Sequence, residues 1–145
     1  MIVKRLAEYT PEVAARVREL LIQLSRSGKD KGEIPESWFV DIINSPWHDL
    51  LIAEDEGQII GIATVSVTMG PGILKNAYLE DFVVDSTVRT KGVGSALWDE
   101  MLKWAAEKGC SKMEFTCGHG REVAQAFYKK HGAEIYDTNF FRVEL

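Results

Sequence analysis

Hydrophobic and polar positions change period twice along the chain. Met1–Leu6 alternates apolar and polar and predicts a short first strand. Val13, Val17, Leu20, Leu21 and Leu24 then recur at helical spacing, which predicts a helix with one buried face. Thr10-Pro11-Glu12 marks its start: a capping hydroxyl, a proline at the first helical position, and an acid near the positive end. Ser27-Gly28 ends it, and Lys29–Glu33 forms a charged loop. Pro35 opens a second, shorter helix with the apolar stripe Trp38, Phe39, Ile42 and Ile43, and Pro46 stops it.

Strand patterns follow. Asp49–Asp55 and Gln58–Met69 flank the turn Glu56-Gly57 and predict an antiparallel hairpin. After the turn Gly70-Pro71-Gly72, Ala77–Asp85 is the next strand. The pattern then alternates. Gly94–Lys108 is helical, with Leu97, Trp98, Met101, Leu102 and Ala105 inward and Gly109 as its stop. Lys112–Cys117 is a strand, and Arg121–His131 a helix carrying Val123, Ala124, Phe127 and Tyr128, stopped by Gly132. Ala133–Tyr136 and Phe140–Glu144 are two last strands joined by Asp137-Thr138-Asn139. A meander followed by strand–helix–strand units predicts an α/β fold. Its central sheet is mixed and mostly antiparallel, of about six to seven strands, with about four helices packed on it.

Length and composition narrow the picture. The chain has 145 residues, the size of one domain, so residues 1–145 are expected to fold as one unit. It is 46% hydrophobic and 27% charged, with 4 Pro and 12 Gly, which argues against disorder. No apolar run approaches the roughly 20 residues of a membrane span. The start, MIVKRLAEYTPEV, lacks the apolar stretch of a signal peptide. The net charge of −5, from 22 acids against 17 bases, argues against a nucleic-acid partner and is compatible with a cationic small substrate. Cys110 and Cys117 form neither a metal-like spacing nor a disulfide framework, so no metal is expected. They read as free thiols of a cytoplasmic protein.

The chemistry concentrates between Tyr78 and Gly94, in YLEDFVVDSTVRTKGVG. An apolar strand runs into Arg89-Thr90-Lys91-Gly92-Val93-Gly94, and a helix starts at once. Small residues let successive amides point into one concavity, and the helix start adds a positive field. Arg89 and Lys91 add formal charge. This pattern suits a phosphate or pyrophosphate, and its plainer alternative is a tight strand-to-helix turn. A Walker loop would need Lys-Ser or Lys-Thr after the second glycine, where Ser95-Ala96 stands. A dinucleotide fingerprint would need a third small residue where Leu97 stands.

Arg89-x-x-Gly92-x-Gly94 resembles the cofactor motif of the Gcn5-related N-acetyltransferase family, with the strand Leu79–Val84 at the right distance before it. Ala126–Ala133, with Tyr128 and Gly132, resembles the family's second hallmark, and the order of elements matches over essentially the whole chain. The resemblance implies acetyl-CoA as co-substrate, bound through Arg89, Thr90, Lys91, Gly92, Val93, Gly94 and Ser95 at its pyrophosphate. It implies that the backbone of Phe82, Val83 and Val84 pairs with the pantetheine arm, as an added strand would. Where the family often has Asn, seven residues before the tyrosine, this chain has Arg121. Arg121-Glu122 resembles acetyltransferases of aminoalkylphosphonates. Tyr78–Phe82 resembles polyamine acetyltransferases, and Glu80-Asp81 before Val83-Val84-Asp85 resembles glucosamine-phosphate acetyltransferases. The acceptor therefore stays open.

The implied reaction is direct attack of an amine on the acetyl thioester. An alkyl ammonium with a pKa of about 10 must lose a proton, and a leaving thiolate whose thiol pKa is about 8.5 gains from a donor. Glu80 is the candidate base, acting directly or through water. Strand alternation places it with Tyr78 and Phe82, and Asp81 on the other face. A structural ion pair is its bland alternative. Tyr128 is the candidate acid, with a place in the helix stripe as its alternative. Cys117 reads as a packing thiol, because His119 is the nearest histidine in sequence and sits in a loop. His48 and His131 carry no constellation. Asp30, Glu33 and Glu36, with Trp38 and Phe39, could receive a cationic amine between the first two helices and the Gly70–Lys75 turn, or simply form a solvated loop. A small-molecule amine is the expected acceptor, and homodimers are common in families of this kind. A protein acetyltransferase and a non-catalytic acyl-CoA sensor are the rival readings.

Overall fold

The computed structural model describes residues 1–72, 74–88 and 92–145, in two compact units, Met1–Phe115 and Thr116–Leu145. The first unit holds β1 (Ile2–Arg5), α1 (Pro11–Leu24), α2 (Glu36–Asn44), β2 (His48–Asp55), β3 (Gln58–Thr68), β4 (Asn76–Val84), α3 (Val93–Glu107) and β5 (Met113–Glu114). The strands form one five-stranded sheet in chain order, antiparallel except for the parallel pair β4–β5 that α3 connects. The second unit holds α4 (Glu122–Lys130).

Local chemistry accounts for the helices. The Thr10 hydroxyl accepts the Val13 amide at 3.2 Å, and Pro11 occupies the first turn, where its missing N–H costs nothing. Pro35 occupies the N-cap position of α2, its carbonyl accepting the Trp38 amide at 3.0 Å, and Ser45 follows the last residue of the helix. Val17 and Leu20 of α1 and Phe39 of α2 pack with Leu50, Ile52, Ile62 and Val83 on one sheet face. Complete burial of a side chain such as Leu20 contributes about 1.5–3 kcal/mol.

The other face receives α3 through Val93, Leu97, Met101 and Trp104, none of them accessible to solvent. Its close approach depends on Gly61 of β3: a Cβ there would stand 3.0 Å from the Leu97 side chain and 3.3 Å from that of Val93. Trp104 spends its indole N–H on the Asp49 carboxylate at 2.6 Å. Because both faces are covered, the middle of β2 and β3 reads as continuous apolar sequence, Leu50–Ala53 and Ile59–Ala63, rather than alternation.

The mixed, mostly antiparallel α/β architecture matches the expectation, and the described residues form four helices, as expected, and five strands rather than six to seven. The predicted strand Lys112–Cys117 is reduced to Met113–Glu114. Ala133–Tyr136 and Phe140–Glu144 do not form strands; residues 133–145 carry no regular secondary structure. Alternation marks a segment able to be a strand, and a ladder partner makes it one. Among the described residues, no helix is long and apolar enough to cross a membrane.

Candidate acyl-transfer site

The β4 strand carries an irregularity at its acidic pair. Ala63 pairs with Phe82 and Val65 with Leu79, so Thr64 alone faces both Glu80 and Asp81. This is a β-bulge, a device that re-aims side chains and is over-represented next to active sites. It overturns the simple alternation expected of this strand. Leu79 and Val83 are buried, Glu80 is exposed, and Asp81 and Phe82 are half-buried. The Thr64 hydroxyl donates to Asp81 at 3.3 Å. Burial pushes the Asp81 carboxyl above its usual range, against the opposing effects of that hydrogen bond and the Lys31 charge. The sequence held half of this signal, two adjacent acids in an apolar strand. The bulge itself has no residue signature here.

The ladder between β4 and β5 consists of Ala77–Met113 and Tyr78–Glu114 and goes no further. Beyond it, β4 continues through Phe82, Val83 and Val84 toward the start of α3. Gly92 stands at the N-cap of α3 in the left-handed region, with φ of 77°, and as a glycine it brings no side-chain cap of its own. The first intrahelical bond runs from the Ala96 amide to the Gly92 carbonyl at 3.1 Å. The first-turn positions before it are Val93, Gly94 and Ser95, whose amides point out of the helix start as those of any α-helix do. A helix start behind a glycine attracts anions. Gly94 and Ser95 are half-buried and Val93 is buried. Arg89, Thr90 and Lys91 lie outside the described residues. Just before them, hydrogen bonds from the Thr87 amide and the Arg16 guanidinium hold the Asp85 carboxyl down at about 2.

In the second unit, Tyr128 sits in α4 with its ring edge-on to Phe127 at 5.8 Å. Ala124, Phe127 and Tyr128 are half-buried, whereas Val123, expected in the same stripe, is exposed. Burial pushes the Tyr128 phenol up to about 12; Cys117 adds to the shift and Arg121 opposes it. Arg121 is the N-cap residue of α4. Gln125 donates its side-chain amide to the Gly118 and His119 carbonyls at 2.9 and 3.1 Å, which fixes the Cys117–Arg121 turn against the helix.

The proposed acceptor loop is altered in two places. Asp30 is engaged by Arg18, whose Nε donates to it at 2.8 Å, and it also accepts the Gly32 amide at 2.9 Å. Those bonds lower its pKa, with Arg18 the larger cause. Phe39 is a core residue, 3% exposed and 5.5 Å from the Tyr9 ring. Glu33, Glu36 and Trp38 are exposed. Ile73, within the expected Gly70–Lys75 turn, is outside the described residues. Cys110 and Cys117 are free thiols, and no group of three or more His, Cys, Asp or Glu among the described residues is placed to hold a metal.

This geometry can be set beside known proteins. The sequence profile of the Acetyltransferase (GNAT) family matches residues 15–133. The uncharacterized N-acetyltransferase YhfO of Bacillus subtilis (strain 168) is 32% identical over 92 residues, covering 63% of this chain and 61% of the relative. The L-amino acid N-acetyltransferase AaaT of Escherichia coli (strain K12) is 30% identical over 104 residues, 70% of this chain and 62% of the relative. The chain thus spans about three fifths of the length of these curated relatives. Among solved structures, the aminoglycoside acetyltransferase meta-AAC0020 from an uncultured soil metagenomic sample, in complex with trehalose, superposes with a TM-score of 0.82. It has 23% identity and covers 99% of this chain and 96% of its own, so the fold is shared. The match of the family profile across most of the chain, on a fold of the same topology, means that this chain belongs to the GNAT acetyltransferase family.

Proposed function

We propose that this protein is an acetyl-CoA-dependent N-acetyltransferase, working as one domain over residues 1–145, that acetylates the primary amine of a small molecule by direct attack. The carrying observation is the start of α3 at a left-handed Gly92 with small residues in its first turn, following the strand that bears the acidic pair. Such a start fits a pyrophosphate: the donors are backbone amides, and a glycine cap keeps side-chain bulk out. Gly92, Val93, Gly94 and Ser95 would hold that group together with Arg89, Thr90 and Lys91. Phe82, Val83 and Val84 would pair with the pantetheine arm through their backbone. Acetyl-CoA supplies the activated acyl group.

Glu80 takes the ammonium proton, through water where the amine stands off the strand, and Tyr128 stabilises the departing thiolate. Asp81 is the second candidate base, favoured by its raised pKa and its Thr64 contact. Glu80→Gln and Asp81→Asn separate the two. The variant of the true base should lower kcat/KM by about 10²–10⁴-fold and remove the acidic limb of its pH profile. The other should retain that limb. If both variants keep it, neither carboxylate is the base.

A small amine is favoured over a protein because Glu33, Glu36 and Trp38, close in sequence, are all exposed, which suits a cation with an apolar stem. The relative AaaT is named for an amino-acid substrate, itself a small primary amine. A screen of polyamines, aminoglycosides, amino sugars, aminoalkylphosphonates, L-amino acids and peptides, read by CoA release, tests the assignment. Turnover with a small amine is expected. Replacing Glu33 and Glu36 by Gln together should raise its KM, more at low salt than at high, since exposed charges are screened over about 10 Å at 0.1 M. A preference for peptides would make this a protein acetyltransferase, and CoA binding without turnover on any amine would make it a sensor.

A further inference from the structure

The segment between β4 and the cofactor motif, Asp85–Val88, is anchored at every backbone amide. Asp85 N donates to the Ile60 carbonyl at 2.9 Å, and Val88 N to the Asp85 carbonyl at 3.0 Å. Ser86 N donates to the Gln23 side chain at 2.9 Å, and Thr87 N to the Asp85 carboxylate at 2.9 Å. Thr87 adds its hydroxyl to the same carboxylate oxygen at 2.8 Å. None of these four amides is left to receive a ligand, so amide donors for a pyrophosphate begin after Val88. A connection with four consecutive amides committed is a fixed delivery arm rather than a compliant loop.

Two of its anchors come from one helix. Arg16 and Gln23 both belong to α1. The Arg16 guanidinium donates through Nε to the Ile59 carbonyl at 2.8 Å, through Nη1 to Glu19 at 2.8 Å, and through Nη2 to Asp85. Asp85 is only 7% exposed, so its charge depends on that partner. Arg16 therefore bridges α1, the β3 backbone and the entry to the cofactor loop in one side chain. It also neutralises a carboxylate that would otherwise stand, unpaired, a few residues before an anion site.

We propose that Arg16 and Asp85, assisted by Gln23, are positioning residues for acetyl-CoA: they fix the stretch Asp85–Val88 ahead of the start of α3, whose amides at Gly92–Ser95 would hold the pyrophosphate. The proposal rests on the acetyltransferase reading above. These groups touch neither the reacting atoms nor the acceptor amine, so their effect belongs to cofactor affinity. Asp85→Asn keeps the shape and removes the charge. It should raise the acetyl-CoA KM and the CoA dissociation constant about tenfold, leaving saturated kcat and the amine KM within about twofold. Gln23 is exposed, so Gln23→Ala releases only the Ser86 amide; it should raise the same two constants by about two- to fivefold and leave Tm nearly unchanged.

Calorimetry with CoA is done first on the unaltered protein. Absence of CoA binding there would overturn the acetyltransferase reading itself. Binding by the unaltered protein, with equal affinity in Asp85→Asn and Gln23→Ala, would overturn the positioning role alone. A lowered Tm with unchanged cofactor constants would make the cluster structural only. Should Asp85→Asn not fold, Gln23→Ala decides the question.

Discussion

Gly92→Asp is expected to abolish CoA binding while leaving the fold intact. Gly92 has a φ of 77°, a region that costs an L-residue about 1–2 kcal/mol. A Cβ there meets no heavy atom within 4 Å, so packing does not forbid the change. The effect is electrostatic. Aspartate is a favoured N-cap residue, and its carboxylate satisfies the very amides at the helix start that an anion would use. A self-capped α3 is no longer an anion site. A pyrophosphate brought up to it also meets a like charge, which costs several kcal/mol. The CoA dissociation constant should therefore rise at least about 100-fold. Gly92→Ala separates the causes: it carries the backbone strain without the charge and should weaken binding only a few-fold. Calorimetry with CoA and thermal unfolding read both variants. Tight CoA binding by Gly92→Asp would remove the α3 start from the site.

Much of this arrangement is legible in the sequence because it rests on local rules. The Thr10-Pro11 start of α1 and the stop at Pro46 depend on residues within one turn of the feature they control. The Gly92-Val93-Gly94 turn into α3 is equally local. What the sequence left hidden depends on partners far along the chain. The bulge at Glu80-Asp81 arises from the register of β4 against β3, which alternation alone does not foresee. Asp30 looked available for a cation, but Arg18, twelve positions earlier on α1, claims it. Phe39 looked like half of an aromatic pair beside Trp38. Adjacent helix positions differ by about 100°, and the core took Phe39 and left Trp38 outside. Residues 133–145 show the same limit in strand form, since period-two patterning records compatibility with a sheet and not membership of one.

Tyr128→Phe should lower kcat by about 10–10³-fold and leave CoA affinity nearly unchanged. The change removes one oxygen and keeps the ring, so the edge-on packing against Phe127 survives. Burial holds the phenol at about 12, well above the ordinary tyrosine value. A group with a raised pKa stays protonated throughout the working range, so Tyr128 is a hydrogen-bond donor at every pH where an amine can be acetylated. Complete transfer from such a phenol to a thiolate whose thiol pKa is about 8.5 runs uphill. Its contribution is therefore a hydrogen bond to the thiolate as charge develops, an interaction absent from the thioester ground state. Hence kcat falls and substrate binding does not. The sign carries a second consequence: the kcat profile of the unaltered protein should show no alkaline fall from this group below pH of about 10, because its deprotonation lies higher still. Steady-state kinetics at saturating acetyl-CoA, with calorimetry on CoA, measure both parts. Unaltered turnover in Tyr128→Phe would assign the tyrosine to the packed face of α4 and leave the thiolate to be stabilised by other groups.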